Sequence, residues 1–172
     1  MSDEEIVDWA LRLAKEVVPT EVELAPSMVV AYVAGGRERE ELFRTRGSVP
    51  SGFDVGSVLV VFPQILAGLA VAGHSLWNLL GGNASSVSTL LKNVGELWDR
   101  RKAARKGKTE QTAVADDPDL SRVIDAIETQ LAAAGMAPAD RELLTFRIVR
   151  ALIADGSGTR AFLTAIRPPS AS

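Results

Sequence analysis

The sequence predicts an α+β, predominantly helical fold, in which a small N-terminal sheet and a strongly apolar central helix precede a C-terminal helical unit. Three observations support this prediction. Short runs rich in β-branched residues occur near the N-terminus, residues 55–91 contain no charged side chain, and the last third of the chain repeats apolar residues at helical spacing. We expect an α+β unit over residues 1–106, a linker over 107–117, a small helical unit over 118–167 and a tail over 168–172.

The first predicted element is an amphipathic helix over residues 3–18. Ser2 and Glu5 have the spacing of a capping box, and Pro19 ends the helix. The apolar residues that recur at helical spacing, and that we expect to form the buried face, are Ile6, Trp9, Ala10, Leu13, Ala14 and Val17.

Three predicted strands follow this helix and form the small sheet. Residues 28–33 are rich in strand-favouring side chains and lie between Pro26 and a glycine pair. We expect a short strand over residues 21–24 before them. The charged residues 37–46 are expected to return beside them as a solvent-facing edge strand, although their first half is also compatible with a short helix.

The charge-free stretch allows two interpretations. In the first, residues 55–62 form a buried strand and Pro63 occupies the first turn of a buried helix over residues 64–80. In the second, residues 56–80 form one continuous helix, kinked at Pro63 and long enough to cross a bilayer core of roughly 30 Å. Gln64, His74 and Asn78 favour the buried helix.

The remaining elements are all predicted to be helices. A helix after Asn83 carries Val87, Leu90, Leu91, Val94, Leu97 and Trp98 on one face and continues into a basic segment. Asp117 and Pro118 begin the next helix, whose apolar face is Leu120, Val123, Ile124, Ile127 and Leu131. A further helix begins at Pro138 and carries Leu143, Leu144, Ile148, Val149, Leu152 and Ile153, and a short one covers residues 161–166.

Two candidate contact surfaces follow from these elements. The candidate membrane or partner face consists of Val58, Leu59, Leu66, Leu69, Val71, Leu76, Trp77 and Leu80. The candidate contacts to an anionic surface are Arg100, Arg101, Lys102, Arg105, Lys106 and Lys108. These cations could also bind nucleic acid, but Trp98 is the only aromatic residue beside them, no known binding motif surrounds them and the whole chain has a net charge of −3, so a nucleic-acid partner is disfavoured.

The sequence predicts no catalytic, cofactor or metal site. Without cysteine the 172-residue chain has no thiol nucleophile and no disulfide, and its glycine pairs do not match nucleotide-binding motifs. Any catalytic triad or metal site that uses histidine would have to use His74, the single histidine. A small hydrolase built on His74 is therefore the third hypothesis, and a buried or interfacial polar role is preferred for this residue.

The segment Leu90-x-x-x-Val94-x-x-Leu97-Trp98-x-Arg100-Arg101, which follows a Gly-flanked apolar helix, resembles the small effector-associated components of bacterial conflict systems. In that family a short α/β unit carries a transmembrane-like helix that ends in a Trp/Arg-rich segment. The resemblance covers residues 28–106, and it implies an adaptor that couples a sensor to an effector by protein–protein contact, with no catalytic residues.

We therefore expect a non-enzymatic interaction or adaptor protein whose partner is another protein or a second copy of the chain. The alternative is a membrane-active protein in which residues 56–80 insert and the basic segment contacts anionic lipid. The acidic start of the chain is unlike a cleaved signal peptide, so we expect a cytoplasmic protein, with inner-membrane association under the alternative.

Overall fold

The computed structural model describes residues 3–44, 60–81, 87–107 and 117–166, and all regular structure within these ranges is helical. A short 3-10 helix, Pro19–Glu21, follows the first α-helix. In this part of the chain the structure has nine α-helices: α1 (Asp3–Val17), α2 (Ala25–Ala34), α3 (Gly36–Arg44), α4 (Phe62–Val71), α5 (Gly73–Gly81), α6 (Val87–Arg105), α7 (Pro118–Ala133), α8 (Pro138–Ala154) and α9 (Gly156–Ala165).

The predicted N-terminal sheet, and with it the α+β fold class, is wrong. Residues 28–33 lie in α2, and the described part of 37–46 lies in α3. Residues 21–24 form the end of the 3-10 helix and a turn. The strand preference of the valines in α2 is weaker than the packing of this segment, because Ala25, Val29 and Tyr32 recur at helical spacing and are all buried.

Helix α3 is stabilised by an ion pair along its surface and by contacts of Arg39 with Tyr32 of α2. Arg37 Nε lies 2.9 Å from Glu41 Oε1, the i,i+4 pairing that supports an exposed helix. Arg39 Nε donates a hydrogen bond to the Tyr32 carbonyl over 2.8 Å, and its guanidinium carbon lies 4.3 Å from the centre of the Tyr32 ring. These contacts attach α3 to α2.

The described part of the charge-free stretch forms two short helices instead of one long helix. Pro63 lies in the first turn of α4, as predicted, and the helix ends at Val71. Ala72 forms a turn and α5 begins directly at Gly73. Most of the predicted strand 55–62 lies outside the described residues, and Phe62 already belongs to α4. Among the residues that the structure describes, no helix is long and apolar enough to span a membrane.

Helix α4 lies at the centre of the core and packs most extensively on α7. The two helices approach closely at Gly68, where an added Cβ would lie 3.1 Å from the Ile127 Cα. Ile65, Leu66 and Leu69 of α4 are fully buried. Helix α1 packs on α2, α8 and α9, so that helices from the predicted 1–106 and 118–167 units share one hydrophobic core.

The C-terminal helices begin at specific capping residues. Asp117 accepts hydrogen bonds from the backbone N–H groups of Asp119 and Leu120, and the predicted apolar face of α7 is buried as expected. Asp155 accepts a hydrogen bond from the Gly158 N–H, so α9 begins at Gly156, earlier than predicted.

The Asp155 carboxyl is held in its ionised form by its neighbours. Burial alone would raise its pKa, but hydrogen bonds from Arg12 and from the Gly158 N–H, with the charge of Arg12, lower the pKa below its ordinary value. The Arg12 Nη2 to Asp155 Oδ2 distance is 2.9 Å. One carboxylate thus caps α9 and attaches it to α1.

Candidate interaction surface

The structure divides the predicted membrane or partner face into a buried part and an exposed part. Leu66, Leu69 and Leu76 are fully buried, and Leu80 is half-buried. Val71 and Trp77, in contrast, are 66% and 42% exposed. Two further members of the predicted face, Val58 and Leu59, lie outside the described residues.

The buried and the exposed residues lie on α4 and α5, which are separated by a turn at Ala72. Leu66 and Leu69 of α4 belong to the same hydrophobic core as Leu76 and Leu79 of α5. Trp77 instead lies on an exposed side of α5, near Ala70 at the end of α4. Large apolar side chains thus remain at the surface near the turn between two apolar helices.

Trp77 borders a hollow of about 270 Å³. We call this region, together with Val71 beside it, the Trp77 surface. The residues that line the hollow come from α4, α5 and the C-terminal end of α9, and they are Ala70, Gly73, His74, Trp77, Leu163, Thr164 and Ile166. Among the described residues, none that lines the hollow is Asp, Glu, Lys or Arg, so this lining can receive an uncharged apolar group without burying an unpaired charge of its own.

His74 lies at the surface and belongs to a short polar row beside Trp77. The Asn78 amide nitrogen lies 3.4 Å from His74 Nε2, and the same amide donates to Asp119 Oδ2 over 3.4 Å. The side-chain group next to the His74 ring nitrogen is thus the amide of Asn78. The described ranges contain no cluster of three or more His, Cys, Asp or Glu residues arranged to hold a metal ion. The arrangement can orient a hydrogen-bonded ligand at the edge of the hollow.

The predicted contacts to an anionic surface divide into cations that form ion pairs within the protein and cations that are exposed. Arg101 pairs with Asp125 and Glu128 of α7, at 3.3 and 3.2 Å. Lys102 and Lys106 are exposed, and Lys108 and the side chain of Arg105 lie outside the description. The remaining predicted contact, Arg100, pairs with Glu96 at 3.7 Å.

Sequence reasoning found Val71 and Trp77 but missed the α9 side of the surface. Leu163 and Ile166 belong to an apolar pattern that also describes an ordinary core helix, and no local feature shows that they meet Trp77. Helix α9 begins at Gly156, directly after the Asp155 cap, and it packs on α5.

Comparisons with protein-family models, with curated proteins and with solved structures found no match to this chain. The function is therefore argued from the chemistry of the surface itself.

Proposed function

We propose that this protein is a non-enzymatic adaptor that binds an apolar helical segment of a partner protein at the Trp77 surface. The observation that carries the proposal is the 42% exposure of Trp77 beside a hollow of about 270 Å³ whose described lining residues carry no Asp, Glu, Lys or Arg. Tryptophan is among the residues that contribute most to binding free energy in protein interfaces, and an exposed apolar patch on a folded domain commonly marks such an interface.

The chemistry of the lining indicates what kind of segment fits. Leu163 and Ile166 contribute apolar lining, and the side chain of Thr164 and the ring nitrogens of His74 offer hydrogen-bonding groups at the edge. A partner helix that inserts a large apolar side chain into the hollow, with polar residues around it, matches this pattern.

The membrane-active alternative receives no support from the described residues. It requires the apolar side chains of residues 56–80 to face lipid, whereas Leu66, Leu69 and Leu76 are fully buried in the core. We keep it only as an outcome of the experiment below.

The experiment places a photo-crosslinking amino acid at position 77 of the full chain, with a matched variant at Val30, which is 49% exposed on α2. We expect a protein from the source cells to crosslink at position 77 and not at position 30. The purified partner should then bind the unmodified chain, and Trp77→Ala should weaken its binding at least tenfold while Val30→Ala changes it little.

Three outcomes would contradict the proposal. The first is equal binding of the purified partner to the Trp77→Ala and Val30→Ala variants. The second is the absence of any position-77 crosslink. The third is co-sedimentation of the chain with anionic liposomes that depends on Trp77, which would instead support membrane binding.

A further inference from the structure

Helix α8 exposes a large apolar side chain beside a second hollow of the surface. Leu143 is 52% exposed, although other residues of the same helix belong to the core. It borders a hollow of about 310 Å³. A cavity of about 150 Å³ already holds a benzene-sized group, so a leucine side chain fits into this hollow. One surface thus carries both a protruding leucine and a space that can receive one.

The hollow has an apolar lining and two exposed charged residues. The apolar lining residues outside α8 come from the end of α1, the segment before α4 and the turn before α8, and they include Val17, Val18, Val61 and Met136. Asp140 and Arg147 of α8 also line the hollow, and both are exposed. A third charged residue, Glu21, is buried, and its carboxylate accepts hydrogen bonds from two backbone N–H groups at the start of α4.

Four lining residues form one stripe along α8, which we call the α8 stripe: Asp140, Leu143, Leu144 and Arg147. Their spacing places them on the same side of the helix. The acid and the base lie at the two ends of the stripe, about 10 Å apart along the helix axis. Neither Asp140 nor Arg147 forms an ion pair or a hydrogen bond through its side chain with any described residue. Their charges are therefore available to a second molecule.

The α8 stripe is complementary to itself. When two copies of α8 pack antiparallel about a twofold axis between Leu143 and Leu144, Asp140 of each copy lies opposite Arg147 of the other. The same axis places the exposed leucine of each copy at the stripe of the other. A parallel pair in register would instead place like charges opposite each other, which disfavours that arrangement.

We propose that the α8 stripe is the contact surface of a homodimer in which Leu143 of each copy enters the hollow of the other. Two intermolecular ion pairs between Asp140 and Arg147 lie at the ends of the contact and select its antiparallel direction. An interface centred on half of one helix belongs to the small, transient class, so the dimer forms at high protein concentration. This hollow shares no lining residue with the hollow beside Trp77, and the proposal does not depend on the function proposed for that surface.

Sedimentation equilibrium of the full chain from about 1 μM to about 1 mM tests the proposal. We expect a monomer at the lowest concentration and a dimer at the highest. Asp140→Arg and Arg147→Asp, each alone, place like charges opposite each other twice and should weaken self-association at least tenfold. Leu143→Ala should weaken it by a similar factor. Glu40→Arg, which makes the same charge change at an exposed position of α3, should leave it unchanged.

A mixture of the two charge variants distinguishes the proposed contact from a general effect of charge. The Asp140→Arg copy carries cations at both ends of the stripe and the Arg147→Asp copy carries carboxylates at both ends. The mixture should therefore dimerise although neither variant does so alone, and the double variant should recover self-association. Both results require residue 140 of one copy to lie opposite residue 147 of another.

Circular dichroism establishes that each variant is folded, and Asp140→Lys with Arg147→Glu replaces the pair if either variant is not. A chain that stays monomeric up to about 1 mM would overturn the proposal. So would self-association that is equal in all variants, or a mixture of the two charge variants that associates no better than each alone.

Discussion

At the scale of single residues, the close contact between α1 and α9 depends on a missing side chain. Trp9 is 1% exposed and stacks on Phe162 with the ring centres 4.5 Å apart. Gly158 lies beside Cδ1 of the Trp9 indole, and a Cβ added to Gly158 would lie 2.5 Å from that atom. The same Cβ would lie 2.9 Å from the carboxylate oxygens of Asp155. Only glycine fits between the indole and the cap of α9.

We predict that Gly158→Ala lowers the free energy of unfolding by about 1–3 kcal/mol, because the methyl group must displace a buried indole. Chemical denaturation measures this change. Gly95→Ala is the matched control, since a Cβ at this position in α6 meets no atom of the described residues within 4 Å. This control should be neutral, or stabilising by about 0.5–1 kcal/mol through the higher helix propensity of alanine. Equal destabilisation of both variants would show that the Trp9 contact is not the cause.

The residue pattern of α1 was predictable because it is local. The six apolar residues expected on its inner face are all buried. Helical periodicity places them on one side irrespective of what they pack against. The contact of Trp9 with Gly158 was not predictable, because nothing in either segment specifies the other.

At the scale of elements, α4 begins at a cap supplied by a distant part of the chain. Glu21 is 3% exposed and its two carboxylate oxygens accept hydrogen bonds from the N–H groups of Val61 and Phe62, both over 2.8 Å. Val61 makes no side-chain cap of its own. The carboxylate lies at the positive end of the helix dipole, so one charge satisfies two backbone donors and attaches the 3-10 helix to α4.

We predict that Glu21→Gln lowers the free energy of unfolding by about 1.5–3 kcal/mol. Glutamine keeps one acceptor oxygen but places an NH₂ group against a buried N–H. Urea denaturation at neutral pH gives the value. Glu23→Gln is the control, because Glu23 is exposed and close in sequence, and it should change stability by less than about 0.5 kcal/mol. An effect of Glu23→Gln as large as that of Glu21→Gln would exclude the capping explanation.

Element type was predicted correctly where the apolar period was clear and wrongly where local preference conflicted with packing. The spacing of Leu120, Val123 and Ile127 predicted α7 with its cap at Asp117. The valines of α2 suggested a strand, although Ala25, Val29 and Tyr32 already had helical spacing. Burial against neighbouring helices, which no local pattern contains, decided between the two.

At the scale of the whole molecule, the helices on the two sides of the predicted linker pack together. Helix α7 packs on α4 and α5, and α8 packs on α1 and α6. The buried residues of these helices form one hydrophobic cluster. A structure with this connectivity cannot lose its C-terminal helices without exposing the apolar side of α4.

We predict that the chain unfolds in one cooperative transition. Two of the three tryptophans, Trp9 and Trp98, pack on Phe162 and Phe146 of helices that follow the predicted linker, so tryptophan fluorescence reports the packing between the two parts of the chain, and far-ultraviolet circular dichroism reports the helix content of all of it. The two signals should coincide in urea. Ile127→Ala, which empties a fully buried site on α7 facing Gly68, should shift both midpoints together and lower stability by about 2–5 kcal/mol. Separate transitions would instead indicate two independent units.

The sequence by itself determined which residues lie on the inner faces of α1 and α7, the cap at Asp117, the place of Pro63 in the first turn of α4, and the need to shield a long charge-free stretch from water. These properties depend on neighbours within a few residues, through helical periodicity and backbone hydrogen bonding. Tertiary structure alone decided that Gly68 lies against Ile127 of α7, that Glu21 caps α4 and that Trp77 and Leu163 border the same hollow. Each of these contacts joins segments far apart in the chain, where the complementarity of two surfaces matters and no local pattern records it.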